Sequence, residues 1–196
     1  MLDTDFRLLN KDELTELFEH DMRRDFPDDE LKPLPRLLEL TDRGLYETYG
    51  LFKDGQLLAY ALYWKAGDDP YVMLDYFAVM PESRNHGTGS EMLKMMLDHF
   101  CVGGRGIFGE VETPNTGIPE VDDLRRRRLG FYHRAGLREI SYRTKVYGVP
   151  YIVLAYGPEI ADEELLETHK RLYHTAFDNE AYARQCFIPY TGDDRQ

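Results

Sequence analysis

The sequence predicts an α/β protein built around a mixed sheet. Three observations carry this prediction. Strand-like and helix-like stretches follow one another in the order βααβββαβαββα over 196 residues. An Asp-Gly pair at 54–55 joins two apolar, aromatic runs as a hairpin would. A strand over residues 71–79 passes through a glycine-bearing turn straight into an amphipathic segment. A hydrophobic content of 42% is enough for a sizeable core and excludes a disordered chain. Residues 1–157 are expected to form one domain, with 158–196 as a helical extension packed on it.

The elements follow from local chemistry. Phe6-Arg-Leu-Leu9 reads as a short first strand. Asn10 then caps a helix over residues 11–18 and onward, because its side chain can accept from amides that a first turn leaves unpaired. Leu14, Leu17 and Phe18 share one face of that helix, and Pro27 ends it. Residues 32–40 lead through a loop into a second short helix, and 45–52 and 57–64 are the hairpin strands. Gly67-Asp-Asp-Pro70 turns the chain into the 71–79 strand, and residues 91–100 have apolar side chains at helical spacing. Residues 106–113 are the next strand, 121–132 a helix after the Pro114 to Pro119 loop, and 137–142 and 150–156 the last strands. Gly157-Pro158 is a breaker. Residues 162–177 form a final helix with Leu165, Leu166, His169 and Leu172 near one stripe. That helix would serve as a cap, a lid or a dimerisation arm, so a homodimer is among the arrangements it allows.

Charge and cysteine usage narrow the partners. A formal net charge of -12 argues against nucleic acid, which needs clustered Lys and Arg. It suits a cationic amine substrate, or simply a solvated surface. No apolar run approaches the length of a membrane span and the first residues lack a secretion signal's apolar region, so the expectation is a cytoplasmic protein with no membrane partner. Cys101 and Cys186 are the only cysteines, which fits a reducing compartment, and they lack metal-ligand spacing. No metal is expected. Cys101 is expected to be buried, and Cys186 to lie at the surface or against a helix.

The densest chemical signal is Val79-Met-Pro-Glu-Ser-Arg84-Asn-His-Gly87-Thr-Gly89-Ser90. Between a strand and a helix, glycines let the backbone take unusual φ/ψ and let a ligand approach it closely. The helix start adds unpaired amides and the positive end of its dipole, which suit phosphate. Arg84 adds a planar donor fork. The dinucleotide fingerprint needs three glycines and a later acidic residue, and the triphosphate loop needs Gly-Lys-Ser/Thr; neither is present.

Arg-x-x-Gly-x-Gly after Val-x-Pro resembles the pyrophosphate-binding motif of the GNAT N-acetyltransferases. Phe131-Tyr132-His-Arg-Ala-Gly136-Leu137 resembles that family's helix-to-strand motif, and Gly106 to Thr113 its neighbouring strand. The resemblance extends to about Gly157. It implies a mostly antiparallel central sheet flanked by helices, with the C-terminal helix as an addition. It also implies acetyl-CoA as the acetyl donor and a primary amine of a small molecule or peptide as acceptor, reacting directly in a ternary complex. The N-terminal helices would wall the acceptor side. A coenzyme A-binding regulatory or interaction module without turnover is the alternative.

The resemblance also assigns roles. Arg84, Asn85, His86, Gly87, Thr88, Gly89 and Ser90 would hold the pyrophosphate. Phe77, Ala78 and Val79 would offer strand backbone to the pantetheine arm, with an amide at or beside Val79 polarising the thioester carbonyl. Tyr132 would protonate the departing thiolate, since a phenol with an ordinary pKa of about 10 stays protonated near neutral pH. Otherwise it is a packed aromatic beside Phe131. Glu110 would be the base, usually through water, or else a rim charge, as Glu112 is expected to be. Asp75 is a further carboxylate candidate or an ordinary strand residue. Asn115 follows the 106–113 strand, where the family often has an asparagine, but a proline-bounded insertion delays Tyr132. His133 is expected to face solvent. The Arg125-Arg-Arg-Arg128 run reads as a salt-bridged surface, or one of its members reaches the coenzyme's 3′-phosphate.

Overall fold

The computed structural model describes residues 4–28, 30–157 and 161–192, so Pro158 of the expected breaker lies outside the described residues. The chain divides into two compact units, residues 1–67 with 74–96 and residues 68–73 with 97–196.

The first unit contains β1 (Asp5–Leu8), α1 (Lys11–Leu17), a π-helical turn (Phe18–Met22), α2 (Arg23–Asp25) and α3 (Leu34–Asp42). It continues with β2 (Tyr46–Lys53), β3 (Gln56–Trp64), most of β4 (Tyr71–Val79) and most of α4 (Thr88–Phe100). Asn10 caps α1 as expected. Its Oδ1 accepts from the amides of Asp12 and Glu13, both at 3.0 Å, while Glu13 Oε2 accepts from the Asn10 amide at 2.9 Å. Such a reciprocal box is worth about 1 kcal/mol. The π turn interrupts the first helix, and Phe18 and Met22 at its two ends are both buried. The hairpin turns at Asp54 and Gly55, both in the left-handed region with φ of 50° and 77°, so that Lys53 pairs with Gln56. Every residue from Ala59 to Trp64 is buried, which marks β3 as a central strand covered on both faces.

The second unit holds the start of β4, β5 (Gly106–Glu112), α5 (Pro119–Arg134), β6 (Arg138–Val146) and β7 (Val149–Tyr156). It ends with α6 (Asp162–His174), α7 (Asn179–Gln185) and β8 (Cys186–Tyr190). The strands neighbour one another in the order β1-β2-β3-β4 in the first unit and β5-β7-β6-β8 in the second. The pairs β1/β2, β2/β3, β5/β7, β6/β7 and β6/β8 are antiparallel, giving the mixed α/β, mostly antiparallel architecture expected.

Two features differ from the sequence reading. The final helix stops at His174, and α7 and β8 follow it. β8 is five residues long and contains Pro189, which argues against a strand in sequence and is tolerated here because β8 is an edge strand beside β6. Its alternation buries Cys186 and Ile188 and exposes Phe187, so Cys186 does not lie at the surface, and Cys101, expected to be buried, is only half-buried. Among the described residues no helix is long and apolar enough to cross a membrane.

Candidate functional site

In the first unit, β4 delivers half-buried Phe77, Ala78 and Val79 to a tight connection. A 3-10 turn over Pro81–Ser83 is followed by extended Arg84, then by Asn85 and Gly87 in the left-handed region at φ 63° and 84°. Asn tolerates that conformation better than most residues, and Gly does so without strain. A Cβ added at Gly87 would meet nothing within 4 Å, so the glycine serves the backbone angle and leaves open space above the turn. The chain enters α4 at Thr88, and the Gly87 carbonyl accepts from the Glu91 amide at 3.0 Å. Thr88, Gly89 and Ser90 therefore form the first turn of a thirteen-residue helix. Arg84, Asn85, His86, Gly87 and Ser90 are exposed, whereas Thr88 is buried. Exposed backbone beneath open space at a helix start suits an anion.

Arg84 is held from below by groups that the sequence did not reveal. Its Nε donates to the Val79 carbonyl at 2.9 Å and its Nη2 to Asp25 Oδ1 at 3.0 Å. The Asp25 side chain, only 4% exposed, also takes Arg24 at 2.8 Å and the Tyr60 hydroxyl at 2.9 Å. Burial, helped by Asp25, pushes the Tyr60 phenol well above its usual range. Asp25 thus anchors the arginine that leads into the turn. It ends a helix 59 residues upstream of Arg84, which no local pattern would connect.

In the second unit, Glu110 on β5 does not lie at the rim. Its side chain is 7% exposed; Oε1 accepts from Thr144 Oγ1 on β6, and Oε2 from the Tyr173 hydroxyl on α6 at 2.6 Å. His169 Nε2 lies 3.5 Å from Glu110 Oε1, while His169 Nδ1 shares a hydrogen bond with the Tyr142 hydroxyl at 3.2 Å. His169 is fully buried, its ring edge-on to Phe108 at 4.8 Å, and burial lowers its pKa to about 3, so it is neutral near pH 7. Sequence placed His169 only on an apolar stripe. Its partnership with β5 and β6 needed the fold.

Glu112 is the rim carboxylate. It takes Arg125, and Arg128 at 2.9 Å, while Arg125 also donates to the Thr113 carbonyl at 3.0 Å. Arg126 pairs with Asp123 at 2.7 Å, so three of the four arginines in the run are engaged in ion pairs around α5. Asp122 accepts from the Thr116 amide and hydroxyl, both at 2.8 Å. These bonds hold its carboxyl below the usual range and stabilise the loop that postpones α5. Asn115 is exposed within that loop. Tyr132, half-buried near the end of α5, packs edge-to-face with Phe131 at 5.2 Å. Its carbonyl accepts from the Ala135 and Leu137 amides, and burial pushes its phenol up to about 12. His133 and His86 are exposed, His133 lying 3.5 Å from Glu139. Among the described residues no group of three or more His, Cys, Asp or Glu could hold a metal ion.

The sequence profile of the acetyltransferase (GNAT) family matches residues 11–119. The chain belongs to the acetyltransferase (GNAT) family. No curated protein matches it. Among solved structures, a GNAT-family protein from Bacteroides thetaiotaomicron is similar at 24% identity, covering 88% of this chain and 97% of its own, with a TM-score of 0.71. The ribosomal-protein-S18-alanine N-acetyltransferase of Escherichia coli matches at 17% identity over 81% of this chain and 96% of its own, with a TM-score of 0.58. A point mutant of the spermidine N-acetyltransferase of Vibrio cholerae matches at 12% identity over 78% of this chain and 92% of its own, with a TM-score of 0.56. At these identities the likeness establishes the GNAT fold. The family profile takes in the Val79–Ser90 turn and Glu110 and ends at Pro119, before Tyr132.

Proposed function

We propose that this GNAT protein transfers an acetyl group from acetyl-CoA to a primary amine of a small molecule or peptide, by direct attack while both substrates are bound. The observation that carries the reading is the turn at 84–88, where left-handed Asn85 and Gly87 leave exposed backbone and open space at the start of α4. Residues 84–90 bind the donor's pyrophosphate there, and the backbone of Phe77 to Val79 lines its arm. The amine attacks the acetyl carbon and the carbon–sulfur bond breaks. The Val79 amide stabilises the charge that develops on the carbonyl oxygen. Tyr132 gives its proton to the departing thiolate, and its phenol, raised to about 12, holds that proton at neutral pH. Glu110 receives the proton lost by the amine, through water.

A second reading keeps coenzyme binding and drops turnover. It is favoured by Glu110, both of whose oxygens already accept hydrogen bonds, from Thr144 and from Tyr173. Thiol release from acetyl-CoA in the presence of a panel of amines separates the two. The transfer reading expects release with at least one amine, and in Tyr132→Phe a kcat lower by roughly 10²- to 10⁴-fold at unchanged acetyl-CoA affinity. Coenzyme binding without release for every acceptor would leave only the module.

A further inference from the structure

Within the first unit, Lys32 reaches out of the irregular segment between α2 and α3 and places its ammonium in an enclosed box. Nζ lies 2.5 Å from Asp75 Oδ2 on β4. It also lies 4.7 Å from the ring centroid of Trp64, 5.4 Å from that of Tyr76 and 5.9 Å from that of Tyr46. The Tyr46 hydroxyl donates to the same Asp75 oxygen. Trp64 and Tyr46 are each 1% exposed and Tyr76 is 5% exposed, while the Lys32 side chain at 21% is the outermost part of the cluster. The segment is pinned to the sheet through one phenol. Tyr76 Oη accepts from the Lys32 amide at 3.0 Å and donates to the Glu30 carbonyl at 2.7 Å.

Three aromatic rings around one carboxylate make up the chemistry that recognises an alkylammonium ion. An ion pair used only to pin a segment gains little from burial, because desolvating both charges offsets most of their attraction. The box is built for the ammonium more than for the lysine that delivers it. Its position on β4 gives it a use. Asp75 precedes Phe77 by two residues on one strand face, about 7 Å along the strand.

The geometry points to the Lys32 box as a binding subsite for an alkylammonium group of a ligand, with the Lys32 side chain as an internal plug that the ligand displaces. The box stabilises a charged amine, and a nitrogen that attacks a thioester must be neutral. The ammonium held here is therefore a ligand's second, non-reacting one, and the ligand class is an α,ω-alkyldiamine. The other, reacting nitrogen and the ligand's identity as the acceptor rest on the acetyl-transfer reading above, whereas the binding of its alkylammonium group rests on the box alone.

Trp64 is the only tryptophan of the chain and lines the box, so its fluorescence reports occupancy directly. The full chain is titrated with 1,5-diaminopentane at fixed ionic strength, with 1,5-pentanediol as the uncharged isostere. The expected result is a saturable change in Trp64 emission with the diamine and none with the diol. Lys32→Ala and Lys32→Met both remove the plug and should bind the diamine at least about 5-fold more tightly, since the competent state is then always available. Asp75→Asn should weaken binding at least about 30-fold by removing the charge partner. The absence of a saturable response in the wild type, or affinities in both Lys32 variants no tighter than wild type, overturns the subsite. Thiol release is followed separately. Saturation of Trp64 without release for any amine refutes transfer and leaves the subsite standing. Release with an amine while Trp64 ignores every ammonium does the opposite.

Discussion

Replacing His169 by Gln tests the buried cluster around Glu110 through the pH dependence of stability. His169 is fully buried and neutral, with its pKa lowered to about 3 by burial, against about 6.5 in an unfolded chain. Below about pH 6.5 the unfolded state takes up a proton that the native state refuses, so this group removes stability as pH falls through the window from about 6.5 to about 3. The slope of one proton is about 1.4 kcal/mol per pH unit, so the loss between about pH 7.5 and 4.5 is about 3 kcal/mol. Gln keeps a group able to bond the Tyr142 hydroxyl and does not titrate. Urea unfolding of both proteins at matched ionic strength isolates the effect, because the carboxylates common to both cancel in the difference. Wild-type stability relative to His169→Gln should fall by about 3 kcal/mol across that range. A difference that stays flat, or moves in favour of the wild type at low pH, would refute the reasoning. It would mean that His169 is protonated against Glu110 across their 3.5 Å separation.

Substitutions at two glycines test the backbone further. Gly87→Glu should weaken acetyl-CoA binding on the order of 100-fold or more, by setting a carboxylate in the open space above the turn. Gly87→Ala carries the cost of the left-handed angle alone, about 1 kcal/mol, and should keep most of the affinity. Calorimetric titration decides, and unchanged affinity in Gly87→Glu sinks the phosphate assignment. Gly106→Ala would put a Cβ against the Tyr71 ring and 2.7 Å from the Tyr156 carbonyl oxygen, so it should destabilise the protein by about 1–3 kcal/mol in urea unfolding. A Gly106→Ala variant as stable as the wild type would show that β5 and β7 can part there without loss.

Much of the donor side was legible from local order along the chain. The strand over 71–79 has the bounds its residues predict, and the Asp54-Gly55 turn and the Asn10 cap each rest on chemistry within four residues. Such features depend on backbone angles and unpaired amides that neighbours in sequence control. β8 escaped because a five-residue edge strand containing Pro189 carries no local signal, and α7, though capped by Asp178, is only seven residues long, too short for a helical stripe to show.

By itself, the sequence determined the α/β class, the resemblance to GNAT acetyltransferases and the Val79–Ser90 turn, all encoded in short-range spacing. Only the tertiary structure decided which charges meet. Asp25 holds Arg84 from 59 residues away, Thr144, His169 and Tyr173 surround Glu110 from two other elements, and Lys32 finds Asp75 and Trp64 across the first unit. Such pairings follow from sheet order and helix packing, and buried polar groups must find partners wherever the fold supplies them. No spacing rule encodes that choice.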